Sequence, residues 1–468
     1  MIKILKFLSE GKPMVSIICY GGVGEIGGNK FLVNDEDTSF FLDFGKNYSK
    51  ENDFYDPPFI QARCTEHLIG LGILPDIKGI YKLSENKNNF KHNISGILVS
   101  HPHGDHYDYI RFLKDNIPIH CGEGSKEIIT ARECSGTKGP KKEYFICNLT
   151  KTNGYEEFKK FQTFHSGDQM KVGDMKYKPI HVDHSVCGAY GYILETTSGL
   201  IAYTGDLRTH GPMAKMTEEF VSSLKKEQLE LLLIEGTNID SSRLSSEQEV
   251  EEKALKVVNN TKGLVLTGFS VVDFDRFRTF YNIALNTGRK FVITTKQAYI
   301  LNKLQRFLDL PKVTDDNIRV FVKGKNTYTG FENELLGING LKTINARDVN
   351  LIQNKLLMVA GYYDFNELIT IKPIPGSTYI LSQSEPFNEE MEIDFAKLQN
   401  WLELHGLPLF SIHASGHANA NELKQIIADV NPKKVAFIHT ERPELYKRYI
   451  LDLGVESIIP VEYGEINI

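Results

Sequence analysis

The sequence has little that would place it outside the cytoplasm or in a membrane. Its six cysteines, at 19, 64, 121, 134, 147 and 187, form no C-x-x-C pair and are spread through a chain of 468 residues. That excludes a small disulfide-stapled scaffold, and reduced thiols of a cytoplasmic protein are expected. No run approaches the roughly 20 apolar residues of a membrane span. Met1 to Glu10 holds Ile, Leu and Phe but is broken by Lys3 and Lys6, and it lacks the core and cleavage pattern of a signal peptide. There is one tryptophan, no internal repeat and no low-complexity tract, so solenoid and disordered architectures are excluded. Positive charge is also short: the formal net charge is −6 and the pI about 6.2. If the chain binds nucleic acid, positive potential must be confined to a groove.

What is present is the composition of a globular protein, 41 % hydrophobic and 24 % charged, at a length that implies two domains. The densest chemistry lies at Ser100-His101-Pro102-His103-Gly104-Asp105-His106. An apolar run, Ile97-Leu98-Val99, precedes it, and Tyr107 to Lys114 reads as a helix. On extended chain His101 and His103 point to one side, where two neutral imidazoles suit one metal ion. Asp105 and His106, past a flexible Gly104, suit a second. Such a pattern after an apolar strand resembles the signature of the metallo-β-lactamase superfamily. The resemblance implies an αββα sandwich with one or two metals at its edge.

The remaining ligands must then come from further along. Lys176 to Val182 alternates as a strand and leads into Asp183-His184-Ser185. His184 is expected as the third ligand of the first metal, with His181 as its rival. Thr204-Gly205-Asp206 ends a hairpin and resembles the family's bridging aspartate; His210 is expected just outside the metal shell. Asp43, at the end of an early strand, is expected to support the metal loop. Between Val15 and Lys30 stands Gly22-Val23-Gly24-Glu25-Ile26-Gly27, which fits the dinucleotide fingerprint. That fingerprint needs a helix next, whereas Lys30 to Val33 and Ser39 to Leu42 read as strands. A turn that brings backbone close to the metal residues is expected instead, and the segment resembles ribonuclease J and its relatives.

Leu231 to Ile234 reads as a buried strand and delivers Glu235. From about residue 240, helical patterns alternate with short strands, which implies a parallel sheet. This texture resembles the cap of β-CASP proteins, the nucleic-acid-processing branch of the superfamily. The expected organisation is an α/β chain: a metallo-β-lactamase domain at 1–239 and 386–468, with a β-CASP cap inserted at 240–385. Helix Met391 to His405, with Trp401 as a core residue, is expected to return to the first domain. Two cap segments depart from the ribonuclease J pattern, at Phe269 to Arg276 and at Ser382 to Pro386, so a contact from Arg276 to the substrate backbone does not carry over. The basic stretch at 134–160, with Lys138, Lys141 and Lys142, is expected to be a solvated loop.

A second dense stretch, His413-Ala414-Ser415-Gly416-His417-Ala418, runs into a helix that Asn419 and Glu422 cap. His439 follows 22 positions after His417, at the end of strand Val435 to Ile438. Seven of the 14 histidines thus fall at strand ends or loops assigned to one site. The resemblance implies a two-metal site: His101, His103 and His184 on one ion, Asp105, His106 and His439 on the other, and Asp206 between them. Zn²⁺ is the first choice and Mn²⁺ the alternative. Asp105, Glu235 and His417 are the catalytic candidates, with His417 as a general acid paired to Glu235. His413, Ser415 and the Gly416 amide precede a helix N-terminus, which favours a phosphate; in the family the matching loop holds a phosphate near the 5′ end. The expected activity is hydrolysis of RNA or single-stranded DNA by a ribonuclease J-like 5′-exonuclease. A small ester or lactone hydrolase and a non-catalytic RNA-processing subunit are the alternatives. The C-terminal domain with which ribonuclease J dimerises is not expected after His439, so oligomeric state is left open, a homodimer among the options.

Overall fold

The computed structural model describes residues 15–468 apart from 58, 84–92, 137–139, 151–154, 242–245 and 384–388, and only the backbone of 389–394. Lys138 and the Ser384 to Pro386 part of the second departing cap segment lie outside the described residues.

Two seven-stranded sheets face each other. In the first, strands Glu465–Asn467, Ser16–Cys19, Phe31–Asp35 and Thr38–Leu42 are neighbours in that order and antiparallel, and Ile94–Leu98, Ile119–Gly122 and Phe161–Phe164 continue the sheet in parallel. The second runs from Met170–Val172 through Met175–His181, Tyr190–Thr196 and Gly199–Tyr203 to Leu229–Glu235, Lys434–Ile438 and Glu456–Ile458. Strand pleating sorts the side chains. Leu231 and Leu233 join Ile17, Phe31, Tyr192 and Ile438 between the sheets. Leu232 and Ile234 face helices Ala214–Leu224 and Ala420–Val430 outside. On the other side Phe41, Ile97 and Val99 pack with Leu68, Tyr109 and Ile110. These four layers are the αββα sandwich, as expected.

The third seven-stranded sheet is wholly parallel, in the order Thr343–Ile344, Ile318–Phe321, Lys290–Thr294, Leu356–Val359, Val265–Gly268, Thr378–Leu381, Leu409–Ser411. Apolar clusters cover both faces, the usual condition for a parallel sheet. One correction concerns helix Glu389–Leu404. It was expected to return to the first domain, yet Leu398, Leu402 and Trp401 pack on this third sheet. Its successor, strand Leu409–Ser411, is the sheet's edge, so the third sheet extends past the boundary expected at residue 385. The packing follows from the sequence: Phe395, Leu398 and Leu402 form one apolar stripe, and the sheet has an open face to receive it.

All six cysteines are unbridged. Among the described residues no helix is long and apolar enough to cross a membrane. Lys141 and Lys142 are exposed and pair with Glu143 and Glu156, but the 134–160 stretch is not the solvated loop expected. Its described residues pair strands Cys147–Leu149 and Tyr155–Glu157 and bury Tyr144, Ile146 and Cys147, apolar residues that pack against the neighbouring cores.

Candidate metal centre

The site lies where parallel strands from both sheets end. Leu42 pairs with Leu98, which sets Asp43 beside Ser100. Tyr203 pairs with Leu233, and Glu235 with Ile438, which brings Asp206, Glu235 and His439 together. Asp43 (φ 58°) and His439 (φ 50°) occupy the left-handed region, a strained conformation for non-glycine residues that concentrates at functional sites. The surroundings hold both. The amide of His439 donates to the Gly22 carbonyl at 2.7 Å, and Asp43 N–H donates to the Leu98 carbonyl at 2.9 Å.

Asp43 organises the metal loop. Its carboxylate accepts from the Ser100 amide (2.6 Å), the Ser100 hydroxyl (2.8 Å) and the Tyr203 hydroxyl (2.5 Å). It also accepts from His106 Nδ1 at 2.7 Å. That fixes the tautomer: His106 offers the bare Nε2 to the site. His184 is oriented likewise, its Nδ1 donating to the Gly416 carbonyl at 2.5 Å. His439 Nδ1 lies 2.8 Å from Thr237 Oγ1.

Two donor groups result. His101 Nε2 and His184 Nε2 each lie 3.1 Å from His103 Nδ1, and Asp206 joins them. In the second, Asp105 groups with His106 and His439, whose Nε2 is 3.3 Å from Asp105 Oδ2. Asp206 Oδ2 stands between, 3.5 Å from His101, 3.1 Å from His106 and 3.8 Å from His439. Donors at about 2.0–2.1 Å from a tetrahedral Zn²⁺ would be roughly 3.3 Å apart, so the spacing fits. Two buried atoms, His106 Nε2 and Asp206 Oδ1, have no hydrogen-bond partner among the described residues, and a cation would engage both. Burial holds His101 and His184 well below, and His103 down to about 4, the neutral form that binds metal. His106 is the exception. Burial pushes it down, but the carboxylates of Asp206, Asp105 and Asp43 push it up further; a divalent cation would take the place of that proton.

His181, the rival, packs against Tyr190, ring centroids 4.3 Å apart and planes tilted by 36°, and belongs to neither donor group. The Gly22 to Gly27 segment is a run of bends followed by strand Phe31–Asp35, not a dinucleotide turn. A methyl group on Gly27 would sit 3.0 Å from Asp105 Cβ, so the backbone lies against a residue of the second donor group.

His417 Nδ1 is 3.2 Å from the buried Glu235 carboxylate and 3.9 Å from Asp206 Oδ2. Burial lowers its pKa, but Glu235 and then Asp206 raise it more, to about 9. His417 also forms a donor group with Asp206 and His439, so the geometry offers it both a ligand's and an acid's place.

The next loop is tied down from several sides. Ser415 Oγ accepts from Asn238 Nδ2 (2.7 Å) and from the His417 amide (3.1 Å). Its own proton and the Gly416 amide meet no acceptor among the described residues. A charged His413 is not supported: burial, and then the Arg276 guanidinium, push it down to about 4. Arg276 is itself buried, held by both Glu247 oxygens at 2.8 and 3.1 Å and by Ser382. It props the loop and does not face a groove. His210 lies outside the metal shell, on Glu422 (3.0 Å) and the Ser415 carbonyl (3.0 Å). Sequence reasoning overlooked Asn29, Arg208, Tyr203, Thr237 and Asn238. Only Thr237 and Asn238 carried a local signal, two and three positions after Glu235.

Residues 81–260 match a family model described as a beta-lactamase superfamily domain. Residues 409–460 match one described as a Zn-dependent metallo-hydrolase RNA specificity domain. The chain is similar to ribonuclease J of Mycoplasma genitalium, 24% identical over 438 residues that span 92% of this chain and 68% of that one. It is similar to ribonuclease J 2 of Streptococcus pyogenes, 23% identical over 97% of this chain and 75% of the relative. A crystal structure of a protein of unknown function from Enterococcus faecalis V583 superposes with a TM-score of 0.73 at 21% identity, covering 97% of this chain and all of the other.

Proposed function

We propose, for a chain that belongs to the metallo-β-lactamase superfamily and carries an RNA specificity domain, that it hydrolyses phosphodiester bonds of RNA as a metal-dependent 5′-exonuclease, with single-stranded DNA as the second substrate. The observation that carries this reading is spatial. The segment matched as an RNA specificity domain holds His413 to His417 and His439, and these meet the beta-lactamase residues at one cluster.

His101, His103 and His184 would hold one ion, Asp105, His106 and His439 the other, with Asp206 shared. Zn²⁺ suits five imidazoles and two carboxylates, and Mn²⁺ is the alternative. Such ions supply a lowered water pKa and offset the charge of the attacked phosphate. The chain's own residues do the rest. Asp43 keeps His106 in its metal-binding tautomer. Glu235 holds Nδ1 of His417, which leaves Nε2–H as the proton to give to the leaving oxygen. Ser415, whose acceptor sites are filled and whose proton is left over, and the Gly416 amide hold a 5′-terminal phosphate, with His413 neutral beside them. That anchor sets the next phosphodiester at the cluster and makes single-nucleotide release the natural outcome.

The test is to size the products of end-labelled single-stranded RNA and DNA over time with Zn²⁺ or Mn²⁺, on RNA bearing 5′-monophosphate, 5′-triphosphate or 5′-hydroxyl ends. A monophosphate preference that disappears in Ser415→Ala is expected. Equal rates on all three ends, with internal cuts appearing first, would rule out the anchored exonuclease in favour of an endonuclease. Ester or lactone hydrolysis with no cleavage of nucleic acid would overturn the reading altogether.

A further inference from the structure

Helix Glu123–Ser135 of the first domain packs against helix Thr295–Leu304 of the third-sheet layer. One end of this contact is neutralised: Arg306 pairs with Glu127 at 2.6 Å and with Glu123 at 3.9 Å. The other end is not. Arg132 and Lys296 meet there, and neither has a carboxylate within 4 Å among the described residues. A methyl group on Gly136, one turn after Arg132, would lie 3.4 Å from Lys296 Nζ. Lys296 is held below its ordinary value by burial and by the Arg132 guanidinium. Arg132 lies over the Tyr107 ring at 6.0 Å and is held above its ordinary value by Tyr107 first and, against burial, by Tyr48, Asp108 and Asp105. The two acids are already engaged, Asp108 with Arg111 at 2.5 Å and Asp105 with His439 at 3.3 Å.

Two adjacent unneutralised cations are costly in a partly buried place and are relieved by an anion. Their position says which anion. Arg132 Nη1 donates to the Pro102 carbonyl at 3.1 Å, between His101 and His103. Contacts then run from His103 to His184 and on to Gly416, so the cations and the 413–416 loop flank the metal cluster from different elements. On the same side of the metal loop, Tyr48 is 47% exposed, Lys46 Nζ lies 5.0 Å from its ring centroid, and a methyl group on Gly104 would collide with its hydroxyl. An exposed ring against the metal loop, on the side of the paired cations, suits a chain that alternates bases with phosphates.

We propose that Arg132 and Lys296 form a phosphate subsite that holds a backbone phosphodiester of a single-stranded nucleic acid beyond the scissile bond. This rests on the nuclease reading above. The subsite joins the two layers through the substrate: one cation comes from each, and the polyanion neutralises both.

The experiment measures kcat and KM on a 5′-phosphorylated single-stranded RNA at several salt concentrations, for wild type, Lys296→Gln, Lys296→Arg and Arg132→Gln, all metal-loaded. Lys296→Gln is expected to raise KM about tenfold, well beyond any fall in kcat. The slope of log KM against log salt should drop by about 0.7, the value for one phosphate contact on a single strand. Lys296→Arg should recover most of both, and Arg132→Gln should move KM in the same direction. Wild-type KM and slope in Lys296→Gln would overturn the subsite while leaving the nuclease reading intact. An equal loss in Lys296→Arg would mark a packing role and overturn it too. Bis(p-nitrophenyl) phosphate, a small phosphodiester, separates the two levels: wild-type protein that cleaves neither it nor RNA would overturn both.

Discussion

Asp206→Asn is expected to lose bound metal and hydrolytic activity together. The substitution keeps the shape of the side chain and removes its charge at the one point shared by both donor groups. Asp206 Oδ2 lies 3.1 Å from His106 Nε2 and 3.5 Å from His101 Nε2, and Oδ1 is buried with no hydrogen-bond partner among the described residues. Burial pushes the carboxyl up, but the surrounding imidazoles, His106 foremost, hold it well below the usual carboxylate range; it is ionised at any working pH. An amide in its place offers one neutral oxygen and two N–H donors, which point positive hydrogens where cations belong. Asp43→Asn provides the scale. Asp43 holds Ser100, Tyr203 and His106 Nδ1 and belongs to none of the donor groups found among the described residues, and loss of such an outer partner costs about 10- to 100-fold in metal affinity or activity. Asp206→Asn should cost more than that. Elemental analysis should find up to two ions per wild-type chain and a clear loss in the variant, with RNA hydrolysis falling in step. Full nuclease activity in metal-stripped protein, or an Asp206→Asn protein with a full metal complement, would end the two-metal account.

The sequence carried the pieces of this site that are local and lost those that are made by the sheets. Each candidate ligand motif is a strand end followed by Gly or a short turn, so apolar runs placed His101 to His106, Asp183-His184, Gly205-Asp206 and Ile438-His439 at strand ends, and the family resemblance singled them out as candidate ligands. The choice of His184 over His181 turns on one physical difference: His181 is still within the strand and packs against Tyr190, whereas His184 is past its end. The supporting contacts had no such signal. Asn29 reaches His106 across 77 positions, Tyr203 reaches Asp43 across 160, and Thr237 reaches His439 across 202. Those pairs exist because strands distant in sequence are neighbours in the sandwich. Arg208 was invisible for the same reason. It joins Asp183 at 3.2 Å to Asp275 at 2.7 Å, a link between the metal loop and the third-sheet layer that neither segment announces. The helix at Glu389–Leu404 shows the converse limit: its apolar stripe was legible, but which of two exposed sheet faces it would cover was not.

His417→Ala is expected to lower turnover by about 10² to 10⁴, the usual range for a lost general acid, with metal content unchanged. The structure makes this a sharp test, because His417 groups with Asp206 and His439 as a third set of donors. A ligand would take ions with it when removed; an acid would not. Its side chain is 20% exposed, as that of Asp105 is at 22%, and its Nδ1 faces Glu235 at 3.2 Å. The pH profile adds an independent reading. A general acid works protonated, so activity is present below its pKa and lost as pH rises through it. Against the pull of burial, Glu235 and Asp206 raise His417 to about 9, and bound divalent cations, being positive, bring that value down. Glu235→Gln removes the larger of the two carboxylate effects, so the basic limb must move to lower pH while the acidic limb, set by other groups, stays. A basic limb that does not move in Glu235→Gln, or a His417→Ala protein that loses its ions, would transfer His417 to the ligand set and leave the leaving oxygen to be protonated by another group.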